Sequence, residues 1–296
     1  MCCTLEPAEL SDTIIYAAEV THDAHGLCHV IGYQNTVTRR NPGPNAMLLP
    51  FPAEGRVGRD NLVNGADFPD ILKAYDRAVE RLKPRTKSVV RGFAGDMLLG
   101  AVASADYEIF ESGSYTIALA QDASGLASAL KEIPESKRPN LPAKFIVSLG
   151  KLYPDWPMAL CCFDLNIDDA EPLFWWYKPR FPEVLFAPAI DAHNGEPPDL
   201  ETDVWRDHTL AFGSYAAKLE DRDLLADIVH QVPKEHRWLF DAHVSGTQIH
   251  GNTGNGDFVI SVDTVRRPKD RWLGDDVPVA LPPRDRPDKW SRLLND

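Results

Sequence analysis

Long apolar runs are missing from this chain, and none approaches the roughly 20 residues that a membrane-spanning helix needs. The first 15 residues carry acidic side chains and lack the apolar core of a secretory signal. Basic residues are also scarce, because 31 lysines and arginines stand against 44 aspartates and glutamates, which gives a formal net charge of -13. Such a chain repels nucleic acid phosphates and anionic lipid. We therefore expect a cytoplasmic protein without a nucleic acid or membrane partner.

Cysteine is rare as well, with five in 296 residues, yet four of them form the adjacent pairs Cys2-Cys3 and Cys161-Cys162. Five unevenly spaced cysteines do not make a disulfide scaffold, and a bond between neighbours strains the peptide that joins them. In a reducing cytosol they act as thiols, metal ligands or core residues. Because the second pair lies within the apolar stretch MALCCFDL (158–165), we expect it to fill the core.

Runs of β-branched and aromatic residues separated by turn-forming sequences predict a strand-rich chain. The predicted strands are 13–20, 27–34, 46–50, 87–93, 96–103, 115–120, 144–150, 158–165, 172–178, 183–190 and 257–262. The clearest helix is 68–83, where Pro69 suits the first turn and Pro84 ends it, and shorter candidates lie at 126–133 and 222–232. The 24 prolines favour irregular connections over a βαβ alternation. The fold class is therefore predicted as α+β with predominantly antiparallel sheet.

Composition changes near the C-terminus of the chain. Residues 266–296 are rich in proline and charge, which is typical of an extended arm that wraps over a domain. We therefore predict one α+β domain over 1–265, with a possible sub-boundary near 213, followed by this arm.

Four pieces of the sequence together resemble a bacterial protein family of uncharacterised activity. They are MCC at 1–3, NAMLLPFP at 45–52, EVLFAPAIDAHNGE at 183–196 and RDHTLAF at 206–212. Members of that family begin Met-Cys-Cys-Phe-Ser, continue with a strand like Asp-Leu-Ala-Met-Ile-Leu-Pro-Leu-Pro, and later carry His-Asp-Gly and Phe-Asp-His. The resemblance covers roughly residues 1–212 and implies no established activity.

The resemblance directs attention to four polar positions in this chain: Cys2, Cys3, His193 and His208. The chain departs from the family pattern at three others, Thr4, Asn194 and Arg206. Because Asn194 stands where the family has aspartate, a role that needs a carboxylate at that position is in doubt.

Cys2 is the main candidate nucleophile, since a thiolate attacks acyl carbon well near neutral pH. One hypothesis is an N-terminal nucleophile, in which removal of Met1 frees the α-amino group of Cys2 as the base; Glu6-Pro7 interrupts the strand expected after such a residue. Another pairs Cys2 with His193 or His208 as base, because catalytic partners need not be close in sequence. Asn194-Gly195 also predicts an ordinary turn beside His193.

A metal site is the alternative, because thiolates and imidazoles suit Zn or Cu and Cys2, Cys3, His193 and His208 could supply four ligands. Adjacent cysteines are less suited to this than CxxC, since successive side chains of a strand point to opposite faces. A third interpretation treats Cys2 and Cys3 as buried packing residues.

Other clusters favour structural roles. THDAHGLCH (21–29) has metal-ligand residues at a predicted hairpin tip, but a solvated turn explains them. The glycines of 243–258 lack the lysine and following helix of a phosphate-binding loop, so they predict a tight turn between strands. In FWWYKPRF (174–181), alternation sends about half of the rings to the core, while Lys178 and Arg180 could hold a carboxylate.

These patterns predict first a cysteine-nucleophile hydrolase that acts on an amide or related acyl bond of a small molecule or peptide. Cys2 would be the nucleophile, His193 or His208 the base, and no cofactor would be required. The alternative is a non-catalytic protein that binds Zn or Cu or another protein. The sequence leaves the substrate and the oligomeric state open.

Overall fold

The computed structural model describes residues 2–3, 8–39, 44–84, 106–163, 171–192, 196–214, 225–241, 243–267, 271–274, 277–280 and 290. For residues 2–3, 8–10 and 37–39 it describes the backbone alone. The predicted strands at 87–93 and 96–103 lie outside this part of the chain.

Strands dominate, and most of them pair antiparallel, as predicted for an α+β fold. The strands are β1 (Cys2–Cys3), β2 (Ala8–His22), β3 (Gly26–Arg39), β4 (Asn45–Pro50), β5 (Leu62–Asn64), β6 (Tyr107–Ser112), β7 (Tyr115–Ala120), β8 (Met158–Phe163), β9 (Leu173–Tyr177), β10 (Val184–Ala187), β11 (Asp191–Ala192), β12 (Asp203–Ser214), β13 (Ser245–Gly254), β14 (Asp257–Ser261) and β15 (Val279–Ala280).

The helices are short. They are α1 (Ile71–Leu82), α2 (Ala123–Ala129), α3 (Ala143–Leu152), α4 (Ala226–Gln231) and α5 (Val262–Arg266), with 3₁₀ helices at Arg59–Asn61 and Lys234–Leu239. None of the helices in the described ranges has the length and apolar character needed to cross a membrane.

The largest sheet has six strands in the order β13-β12-β2-β3-β9-β5. All neighbours in it are antiparallel except β12 and β2, which run parallel. A four-stranded sheet has the order β4-β8-β7-β6, a three-stranded sheet the order β10-β14-β15, and β1 forms a small parallel pair with β11.

Alternation along β2 and β3 divides the core into two parts. Ile15 and Ile31 face inward and share one apolar cluster with the four-stranded and three-stranded sheets. Ile14 and Val30 face the other way and pack with α1. Both strands were predicted from their β-branched and aromatic residues, and the β2–β3 hairpin confirms them.

The strongest predicted helix is confirmed as α1, which begins two residues after Pro69 and ends two residues before Pro84. Its buried face carries Ile71, Tyr75 and Val79, at the spacing of an amphipathic helix.

One predicted strand is wrong, because residues 144–150 belong to helix α3. The apolar residues of KFIVSLG suit either structure, but the buried ones are Phe145, Leu149 and Leu152, which follow a helical period of three to four. Val147, which an alternating strand would bury with Phe145, is 56% exposed.

The described residues of the C-terminal segment pack against the core. Trp272 forms a parallel bridge with Gly246 of β13, and β15 pairs with β14. Trp290 is buried and stacks on Phe186 with ring centroids 5.8 Å apart. These contacts tie the described residues of this segment to the two sheets and to Phe186.

Candidate active site

The pairing of β1 with β11 brings together two parts of the predicted site. Cys2 lies opposite Asp191 and Cys3 opposite Ala192 in a parallel register. Ala192 directly precedes His193 in the sequence, although His193 itself and the side chains of Cys2 and Cys3 lie outside the described residues. The backbone therefore places the first cysteine pair beside the segment that leads into His193, about 190 residues further along the chain.

Asp257 fixes the turn that precedes β11. Its Oδ1 accepts hydrogen bonds from the backbone N–H groups of Ala189 at 2.7 Å and Ile190 at 3.1 Å. Its Oδ2 accepts the hydroxyl of Tyr153 at 2.7 Å. Burial raises the pKa of Asp257, and these three donors oppose the shift because they stabilise the carboxylate. Since its oxygens are occupied, Asp257 acts as a positioning residue.

Asn255 holds β11 itself. Its side chain accepts the N–H of Asp191 at 2.8 Å and donates to the Asp191 carbonyl at 2.8 Å. The same amide nitrogen donates to the Asp199 carbonyl at 2.9 Å. The side chain thus substitutes for a neighbouring strand at the residue that lies opposite Cys2.

Arg206 places a fully buried guanidinium beneath the same turn. Its Nη1 donates to the Ala189 carbonyl, its Nε to Thr253 Oγ1 at 2.7 Å, and its Nη2 to the Gly256 carbonyl at 2.8 Å. The guanidinium carbon also lies 5.1 Å from the centre of the Phe258 ring. A fixed positive charge of this kind stabilises nearby anions, including a thiolate.

His208 lies two residues beyond Arg206 on β12, so both side chains point to the same face of that strand. His208 is buried, with Thr13 of β2 and Ile249 of β13 as its partners in the two neighbouring strands. Arg206 therefore connects the strand that carries His208 to the turn at Ala189. This bond ends at Ala189, two residues before β11.

Sequence patterns did not identify the three residues that hold the backbone at 189–191, which are Arg206, Asn255 and Asp257. Arg206 was noted only as a departure from a family pattern, and Asn255 and Asp257 only as parts of a glycine-rich turn. One signal was present, because Arg206 occupies an inward position of a strand whose following inward residues are His208, Leu210 and Phe212. A charged residue at such a position needs buried partners.

The second cysteine pair is confirmed as part of the core. Cys161 and Cys162 lie on β8 between β4 and β7 and are inaccessible to solvent. Burial raises the pKa of both thiols, to about 12 for Cys162. Burial also raises the pKa of Cys28. These thiols are therefore protonated and unreactive at neutral pH.

The other sequence clusters have structural partners. His22 stacks on His25 at the β2–β3 turn with ring centroids 4.6 Å apart, and Cys28 and His29 are buried behind them. Lys178 pairs with the carboxylate of Glu54 at 2.7 Å.

Arg180 donates to the carbonyls of Ala53 and Asp155. Within the described ranges, no group of three or more His, Cys, Asp or Glu side chains is placed to hold a metal ion. The side chains of Cys2, Cys3 and His193 lie outside those ranges.

No protein-family model matches this chain, and no curated protein matches it. Among solved structures, the crystal structure of baculovirus P35 is similar over 87% of this chain and 90% of its own, with 14% sequence identity and a TM-score of 0.41.

Proposed function

We propose that the protein is a hydrolase in which the thiolate of Cys2 attacks an amide or related acyl bond of a small molecule or peptide. One observation carries this proposal: the parallel β1–β11 pair sets Cys2 and Cys3 beside Asp191 and Ala192, immediately before His193. The backbone of the first cysteine pair thus lies next to the strand that precedes His193 in the sequence, which supports a cysteine nucleophile with a histidine base.

The surroundings of the β1–β11 pair support a reactive thiol. The turn before β11 is fixed by Asp257, Asn255 and Arg206, and preorganised supports of this kind hold catalytic groups in place. A buried guanidinium near a thiol favours the thiolate, and Arg206 donates to the carbonyl of Ala189, two residues before β11. Burial raises the pKa of Cys161, so that thiol is not a candidate nucleophile.

The chemistry follows the usual two steps of a thiol hydrolase. The base takes the proton of Cys2, and the sulfur forms a bond to the acyl carbon. When the carbon–nitrogen bond breaks, the leaving amine receives that proton and the acyl group remains on sulfur as a thioester. Water then attacks the thioester, releases the acid and returns the proton to Cys2. Of the two candidate bases we favour His193, because it directly follows in sequence the strand that pairs with Cys2, whereas His208 lies on β12.

Kinetics of four variants test the proposal. With p-nitrophenyl acetate as substrate, Cys2→Ala should abolish hydrolysis and the matched neighbour Cys3→Ala should retain it. His193→Gln should lower turnover by about 100-fold or more, which is typical for loss of a general base, while His208→Gln should have a smaller effect.

Hydrolysis by Cys2→Ala at the wild-type rate would overturn the proposal. Metal analysis of the same samples separates it from the metal-binding alternative. Zn or Cu retained by the wild type and lost in Cys2→Ala, without any turnover in either protein, would support a binding protein instead.

A further inference from the structure

Strand β13 is the last strand of the six-stranded sheet, and its outer side is paired only at the start. There the N–H of Gly246 donates to the Arg271 carbonyl at 2.9 Å, and the N–H of Leu273 donates to the Gly246 carbonyl at 2.9 Å. Beyond Gly246, no strand of the described ranges lies against this side of β13.

The open side of β13 carries backbone groups that are ready to pair. In an antiparallel strand the N–H and C=O of one residue point to the same side, and successive residues alternate. Because the backbone of Gly246 points outward, the backbone groups of Gln248, His250 and Asn252 also point outward. An exposed edge of this kind is a template for an added strand.

The neighbouring strand β12 presents a row of three side chains, Asp203, Trp205 and Asp207, beside that edge. They alternate with the buried Arg206, so they share the outward face at a spacing of about 6.8 Å. Trp205 is 68% exposed, the highest value among the exposed large apolar side chains of the described residues. The row therefore combines an open indole face with a carboxylate on each side.

Hydrogen bonds hold one end of the row in place. Oδ1 of Asp207 lies 2.8 Å from Nδ1 of His250, the residue that faces it on β13. Oδ2 of Asp207 accepts the N–H of Asp12 at 3.3 Å. Carboxylates attract cations, and an indole face binds an ammonium or guanidinium group through a cation–π interaction. The net charge of -13 adds a long-range attraction for a basic partner.

We propose that the open edge of β13 and the Asp203–Trp205–Asp207 row together bind an extended basic peptide. The peptide pairs with the outward backbone groups of Gln248 and His250 and so becomes the next strand of the sheet. The peptide backbone then lies roughly 10 Å from β12, which is two strand spacings. An arginine side chain of the peptide that extends over β13 can bridge this distance to the side chain of Trp205. Arginines at alternate positions match the spacing of the row. This site does not depend on whether Cys2 is catalytic.

A fluorescein-labelled seven-residue peptide with arginine at every second position tests the site by fluorescence anisotropy at low salt. It should bind saturably and weaken as salt is added, and the same peptide with glutamate in place of arginine should not bind. Methylation of the backbone nitrogens that face β13 should weaken binding at least about tenfold, because each methyl group removes a donor and blocks strand pairing.

Variants locate the contact. Trp205→Ala should weaken binding by about two- to fivefold, the range of an exposed cation–π interaction. Asp203→Asn should also weaken binding and reduce its salt dependence. The control is Val147→Ala, which removes another exposed apolar side chain, 56% accessible, from helix α3 and should bind as the wild type does.

Three results would overturn the proposal. The first is equal binding of the methylated and unmodified peptides, and the second is equal binding by Trp205→Ala and the wild type. The third is a dimer, detected by sedimentation velocity, that is disrupted by Asn252→Pro but not by the peptide. That result would show that a second copy of this chain occupies the edge.

Discussion

Acidification should destabilise the protein through His29, which is 1% exposed on β3 opposite Glu19 of β2. Burial lowers the pKa of His29 from 6.5 to about 4; the Pro182 carbonyl opposes this shift, and the positive charge of Arg266 adds to it. Arg266 is fixed nearby, since its Nη2 donates to both carboxylate oxygens of Glu19 at 2.7 Å. The neutral imidazole is therefore the form that the fold accommodates.

The size of the effect follows from the two pKa values. In the unfolded chain the imidazole binds a proton below its ordinary pKa of 6.5, while in the folded protein it does so only below about 4. The contribution of His29 is thus fully present above pH 6.5 and is lost as the pH falls from there through about 4. Between about pH 7.5 and about pH 5 the linked loss is about 2 kcal/mol of unfolding free energy.

Urea unfolding at these two pH values measures this loss. The wild type should lose about 2 kcal/mol more than His29→Leu, because the leucine variant has no proton to bind at this position. The quantity compared is the change in unfolding free energy between the two pH values in each protein. The pH-independent cost of the substitution and the titration of other groups cancel in this comparison. His230→Gln, which alters an exposed histidine on α4, should behave as the wild type does. Equal pH-dependent losses in the wild type and His29→Leu would show that His29 does not cause the loss of stability.

Three further outcomes are expected. Arg206→Met should lower the unfolding free energy by at least about 3 kcal/mol in urea titrations, because it leaves several buried oxygen acceptors without their donor, and unchanged stability would contradict that role. Tyr153→Phe should cost about 1–3 kcal/mol by removing the hydroxyl bound to Asp257, and an unchanged denaturation midpoint would argue against this bond. Cys161 and Cys162 should resist iodoacetamide in the native protein and react in urea, as peptide mass mapping can show, and rapid native labelling would contradict their burial.

Much of the fold could be predicted because burial in a sheet leaves a simple mark on the sequence. Residues 13–20 and 27–34 carry apolar side chains on both faces, since one face packs on the inner core and the other on α1. The same property explains the error at 144–150. A short apolar run suits a strand or a helix, and only the burial of Phe145 and Leu149 with exposure of Val147 decides between them.

The candidate site was predictable only in part. A chemical argument singled out Cys2, and β1 lies beside the strand that leads to His193. Arg206, Asn255 and Asp257 could not be assigned from the sequence, because their roles depend on backbone groups near residue 190 that come close only after folding. Hydrogen bonds to backbone atoms leave no pattern in side-chain spacing.

Trapping of the acyl intermediate is a direct test of Cys2 as the nucleophile. The protein is mixed with p-nitrophenyl acetate, quenched in acid within the first turnovers, and digested for peptide mass spectrometry. If Cys2 is the nucleophile, one acetyl group is found on Cys2 in the wild type and in Cys3→Ala, and none is found at this position in Cys2→Ala. Two results would contradict this role of Cys2. One is continued turnover of the wild type with no acetyl group on Cys2, and the other is acetylation of a different residue in Cys2→Ala at the wild-type rate.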